Sequence, residues 1–225
     1  DGYFVRGTIR YAADDPARAA KDAETALRLN PEFAAAAYLQ GEALLNLYID
    51  ESTRQAEKYP LTPASGEPDR KAVFEKRDAA LRPFREVMQG VAARLEALAG
   101  ARRDAEEAAR MRELAGTLRL YGSAGGESTG VFRQAEVTTR AVITYKPEPA
   151  FTEEARQRGV TGRVRLRAVL GADGRVHNVV AIKRLPAGLT EKCVEVARKI
   201  RFTPAMRDGV PVSQYVVLEY NFNIY

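Results

Sequence analysis

Gly162-Arg163-Val164-Arg165-Leu166-Arg167-Ala168-Val169-Leu170 alternates apolar residues with arginines as far as Ala168, and Ala172-Asp173-Gly174 follows it. Val164, Leu166, Ala168 and Leu170 share one side of an extended chain, and Arg163, Arg165 and Arg167 share the other. Period-two alternation of this kind predicts a strand with one face buried. Asp-Gly is a turn signal, and the β-rich run Val176 to Ile182 comes next, so the two runs predict a hairpin. Val179-Val180-Ala181-Ile182 is apolar throughout, which leaves the inward face of the second strand open and allows a bulge.

Working outward, Leu189, Cys193, Val196, Ala197 and Ile200 recur at helical spacing between Gly188 and Phe202-Thr203-Pro204. Thr152 to Arg158 predicts a short amphipathic helix stopped by Gly159. The last run, Val212 to Tyr225, places Val216, Leu218, Tyr220, Phe222 and Ile224 on one side. Tyr215, Val217, Glu219, Asn221 and Asn223 fall on the other. The predicted order is helix, strand, strand, helix, strand. The expected fold is α+β, an antiparallel sheet with its helices on one face and the arginine stripe on the other.

Upstream the code changes. Gly122-Ser-Ala-Gly-Gly-Glu-Ser-Thr-Gly130 has no large apolar side chain and reads as a linker between a domain at 1–121 and one at 131–225. A phosphate-binding loop would need Lys and Ser/Thr after Gly130, and Val131-Phe132 stands there. Residues 1–121 are rich in Ala, Leu, Glu, Arg and Lys and predict helices. Asp15-Pro16 has the order of an N-cap and first helical residue, and Asn30-Pro31 ends that helix. Residues 60–68 read as a loop. Helices are expected over 69–99 and 101–121, with Pro83 kinking the first or starting a new one.

Residues 3–47 resemble a tetratricopeptide repeat. Gly7, Asp14-Asp15, Ala19, Ala26-Leu27 and Pro31 fall at the places of that pattern, and Gly41 follows Gly7 by 34 residues. The expectation for this half is an all-α helical scaffold, with a groove for an unknown protein partner as the sharper alternative. Such arrays need about three stacked units, so further repeats before Asp1 are expected.

Residues 131–225 resemble the C-terminal domain of TonB-family energy transducers. The resemblance is carried by Pro147-Glu148-Pro149-Ala150-Phe151-Thr152, Ala155-Arg156, Gly162-Arg163-Val164, Asp173-Gly174-Arg175-Val176, Arg201-Phe202-Thr203-Pro204-Ala205 and Gly209-Val210-Pro211-Val212. Two departures stand out. Phe151-Thr152 replaces the family's Tyr-Pro, and Ile200 stands where Trp is common.

The resemblance implies a periplasmic protein that binds a peptide of an outer-membrane TonB-dependent transporter and couples inner-membrane energy to transport. The peptide would add a strand to a sheet edge, for which Ser213 to Asn223 is expected. The candidate partner-binding residues are Ser213, Tyr215, Val217, Glu219 and Asn221, with Phe151 and the Arg163, Arg165, Arg167 stripe. Motor proteins of the inner membrane would be reached through an N-terminal segment. The alternative is an adaptor that transmits no force. A long terminal strand also permits exchange between two copies.

Charge and composition set limits. Residues 1–130 hold 19 Lys+Arg against 21 Asp+Glu, and residues 131–225 hold 16 against 9. The basic half suits anionic partners, yet no aromatic residues interleave with the arginines as a nucleic-acid reader requires. One cysteine and one histidine exclude an internal disulfide and give no catalytic triad or multi-cysteine metal site. No cofactor, metal or catalytic residue is expected. Cys193 reads as core packing, His177 as an exposed strand residue, and Asp173-Gly174 as a turn. No apolar run is long enough to span a membrane, and a chain opening on Asp1-Gly2 with no secretion signal reads as a mature form or an excised fragment.

Overall fold

A computed structural model describes residues 2–60, 67–123 and 130–223. The chain divides into two compact units, Asp1–Ala124 and Gly125–Tyr225.

The first unit is helical: α1 (Gly2–Ala12), α2 (Pro16–Leu29), α3 (Ala34–Lys58), α4 (Glu67–Gly100) and α5 (Ala105–Gly122). Asp15 caps α2 by accepting the Arg18 N–H at 3.1 Å, with Pro16 at the first helical position. Asp104 caps α5 in the same way, accepting from Glu106 and Glu107. Pro83 lies inside α4, which continues through it. Most of the loop expected at 60–68 and most of the glycine-rich linker lie outside the described residues, although Gly122 itself closes α5.

Small residues decide how these helices meet. A Cβ on Gly7 would stand 3.1 Å from both Asp22 Cβ and Leu39 Cδ2. A Cβ on Gly41 would stand 3.0 Å from Leu114 Cδ2 and 3.2 Å from Leu118 Cδ1. Each glycine lets its helix approach the next odd-numbered one, α1 to α3 and α3 to α5. Each meets a leucine two residues before another glycine: Leu39 before Gly41, and Leu114 before Gly116. A Cβ on Gly116 would meet nothing within 4 Å, so that glycine makes no close crossing of this kind. Asp22, 3% exposed, ties α2 to α1 through Arg6 at 2.7 and 3.0 Å and Arg10 at 2.7 Å.

The second unit is a curled mixed sheet with helices on one face. Its elements are β1 (Val131–Phe132), β2 (Val142–Tyr145), α6 (Glu153–Gln157), β3 (Gly162–Leu170), β4 (Val176–Lys183), α7 (Leu189–Ala197), β5 (Arg201–Thr203), β6 (Ala205–Arg207) and β7 (Val210–Phe222). A 3-10 turn, Gln134–Glu136, follows β1. The expected helix-strand-strand-helix-strand order is present as α6, β3, β4, α7 and β7.

β7 pairs antiparallel with β3 from Gly162↔Phe222 to Leu170↔Gln214, and β4 lies on the other side of β3. β4 carries an extra residue opposite Arg165–Leu166, whose partners are Lys183 and Ala181, and another between Val180 and His177. Asn178 at the second bulge takes φ 50°, a conformation that Asn tolerates.

Val164, Leu166, Ala168 and Leu170 pack with Leu189, Cys193 and Ala197 of α7 and with Ala155 of α6. Leu218, Tyr220 and Phe222 join the same core, so the even positions of β7 face the helices as expected. Thr152 caps α6 by accepting the Ala155 N–H, and Gly159 beyond it has φ 63°.

Four short strands were not legible. β2 and β5 form a separate antiparallel ribbon, while β1 and β6 both pair with β7. Because β1 runs parallel to β7, the sheet is mixed rather than antiparallel throughout.

Candidate functional site: the edge of the last strand

β6 covers Val210 to Val212 of β7, and β1 covers Ser213 and Gln214. Among the described residues no strand pairs with that side of β7 beyond Gln214. The open edge is thus shorter than the expected Ser213 to Asn223. Ser213 lies against Val131, and its hydroxyl accepts the Ala172 N–H at 3.1 Å. The physical reason is that two-residue Val131-Phe132 finds partners in β7 without any periodic pattern of its own.

The hairpin settles which way the backbone groups of β7 face. Gly171 N–H donates to Arg175 O across the turn at 2.8 Å, so the backbone at Gly171 faces β4. The N–H and C=O of one strand residue point to the same side, and that side alternates along the strand. Leu170, Ala168, Leu166 and Val164 therefore face β7, where their partners are Gln214, Val216, Leu218 and Tyr220. Both bulges are in β4, so this register is unbroken. The even positions of β7 bond to β3, and the odd positions turn their N–H and C=O to the opposite side.

A side chain reports the same geometry. Lys146 Nζ donates to the backbone oxygen of Glu219 at 2.6 Å, from the side away from β3. It also sits 4.2 Å from the centroid of the Tyr220 ring. Lys146 directly follows β2, whose four residues are all exposed, and its place at the edge carried no signal in the sequence.

The odd side chains lie on the face away from the helices. Val217 is 54% exposed. Glu219 meets Arg163 at 3.3 Å and Arg165 at 3.9 Å. The Arg167 guanidinium stands 5.1 Å over the Tyr215 ring. Asn221 is exposed opposite Arg163. The register brings Lys183 beside Arg165 on the same row. One carboxylate thus faces three guanidiniums and an ammonium, and the outer face is basic beside the open edge. Phe151 is elsewhere: it is half-buried and meets Phe222 edge-on at 5.5 Å, on the helix side.

Other reactive groups have structural surroundings. Cys193 is buried, and that burial pushes its thiol up to about 12. Burial also raises the Tyr220 hydroxyl to about 12. His177 Nε2 lies 2.9 Å from an Asp173 carboxylate oxygen at the exposed hairpin tip, and that hydrogen bond holds Asp173 below the usual carboxylate range. No described helix is long and apolar enough to cross a membrane.

No curated protein matches the chain. Residues 147–224 match the family model described as Gram-negative bacterial TonB protein C-terminal. That span opens just after Lys146 and takes in α6, β3, β4, α7 and β5 to β7. Residues 147–224, within the C-terminal unit, form a TonB C-terminal domain.

Proposed function

We propose that the C-terminal unit binds an extended peptide of an outer-membrane transporter, in the periplasm, by adding it as a strand to β7. The chain then couples energy from inner-membrane motor proteins to transport. The observation that carries this reading is the row of odd-numbered backbone groups, Val217, Glu219 and Asn221, turned to an edge with no strand on it. Strand addition uses those groups for affinity and the alternate side chains for selection. The family of the C-terminal domain is one whose members engage outer-membrane transporters, which supports a binding role over an enzymatic one.

A second reading is favoured by the helical unit. Gly7 and Gly41 make the same close crossing at a spacing of 34 residues, as stacked tetratricopeptide-type hairpins would. A scaffold of that kind beside a peptide-binding domain suits an adaptor that holds a second protein and transmits no force.

An array of synthetic peptides from the periplasm-facing segments of outer-membrane transporters, probed with the full chain, tests the first reading. Wild-type protein is expected to retain a subset, and Val217→Pro to lose it. Retention of the same peptides by the proline variant contradicts binding at this edge.

A further inference from the structure

Lys146 holds an unusual position for a charged side chain. Its ammonium is bonded to the Glu219 carbonyl and laid against the Tyr220 ring, and the residue is only half-exposed. Among the described residues no carboxylate comes within ion-pair distance of it. Glu148, two residues on, is exposed and makes no ion pair with it, and the Glu219 carboxylate is drawn to Arg163 and Arg165 on the opposite face.

The ammonium thus occupies an acceptor that an added strand would need for its own N–H, and no described carboxylate is in direct contact with it, although Glu148 lies near enough to act on the Tyr220 hydroxyl. Lysine at a sheet edge is a common guard against unwanted strand pairing. A strand that enters must displace the ammonium from Glu219 O, which costs a charge-assisted hydrogen bond. A carboxylate on the entering strand would return one.

We propose that Lys146 is the gatekeeper of the β7 edge and selects strands carrying an Asp or Glu on the helix-facing side, beside Tyr220. This rests on the strand-addition reading and adds the chemistry of the peptide to it. The basic outer face cannot supply the same selection, because it contacts side chains of the other parity. The preference belongs to one register position only, and a strand with its acid one residue away presents it to the opposite face.

Fluorescent nonapeptides of alternating Val and Thr, with a single Asp walked through the positions and an Asn twin of each, are titrated into the full chain. Fluorescence anisotropy reads the affinity. Wild-type protein is expected to bind the Asp peptide of the correct register about tenfold more tightly than its Asn twin, the scale of one charge-assisted hydrogen bond.

Lys146→Met keeps the apolar stem and is expected to abolish that ratio while still binding the Asn peptide. Val217→Pro is expected to abolish binding of both. An unchanged Asp/Asn ratio in Lys146→Met overturns the selection by Lys146 and leaves the edge reading standing. Binding that Val217→Pro does not weaken overturns the edge reading itself. Failure of every peptide to bind either wild-type or Lys146→Met protein overturns both.

Discussion

Val217 and Leu218 are neighbours with opposite duties. The Val217 N–H turns to the open edge, and its side chain is 54% exposed. The Leu218 N–H turns to Leu166, and its side chain is 3% exposed. Proline at Val217 is expected to cost about 1 kcal/mol, the spread of strand preference. Proline at Leu218 removes a ladder bond and a core side chain and should cost several kcal/mol. Denaturant melts of the C-terminal unit check the pair, and equal losses would mean that the strand is paired on both sides. Cys193 offers a second test at this scale. A buried thiol raised to about 12 is expected to resist alkylation at pH 8 in the native state and to react once the chain is unfolded. The parity of side chains was legible, because Arg163, Arg165 and Arg167 on one strand and Glu219 and Asn221 on the other mark the outer face, although Val169, on the arginine side of β3, is buried as well. Lys146 was not legible. A lone lysine before Pro147 has no pattern, and its role appears only when the fold brings it to Glu219, 73 residues on.

At the scale of elements, long periodic segments were legible and short ones were not. β3, α7 and β7 each run nine residues or more and carry their own period, and β4, eight residues long, was marked instead by its β-rich composition after the Asp173-Gly174 turn. β1, β5 and β6 have two or three residues each, too few to show any period. β2 has four, and all are exposed, so no buried face marks it. These short strands decide how much of β7 remains an edge, so the extent of the candidate site was beyond the sequence even though its strand was not. The outer face of the sheet makes its own prediction. Arg163 and Arg165 stand in solvent beside Glu219, and Arg167 adds a cation–π contact with Tyr215. Replacing all three by Gln is expected to leave the fold intact and to lower stability by about 1 kcal/mol, mostly from Arg167. Circular dichroism and melting check this. Loss of folded structure would mean that the faces of β3 are reversed.

Across the whole molecule, the two units differ in architecture, charge and the forces that order them. The basic half of the sequence is the half with the sheet, and the slightly acidic half is the helical one. The 34-residue spacing of Gly7 and Gly41 was legible because nothing interrupts it. The helical unit also has an internal electrostatic tie. Asp22 is held below the ordinary carboxylate value, first by its hydrogen bond to Arg6. A folded-state value below the unfolded one stabilises the fold at neutral pH, and that contribution disappears as pH falls below about 4. Asp22→Asn is expected to weaken the helical unit at pH 7 by about 2 kcal/mol, and the gap to wild type should narrow at pH 3. An equal gap at both values would mean that the pair contributes nothing through charge.

The central claim is that β7 is a strand paired on one side and open on the other beyond Gln214. Residue-resolved amide hydrogen exchange on the full chain reads this directly, because open-edge amides exchange through solvent while ladder amides wait for local unfolding. The expected result is alternation: Val216, Leu218 and Tyr220 slow, Val217, Glu219 and Asn221 fast. Addition of a peptide retained by the transporter array should slow Val217, Glu219 and Asn221 alone. Uniform protection along Val216 to Asn221 before any peptide is added, or a peptide that slows the even amides instead, would contradict the account.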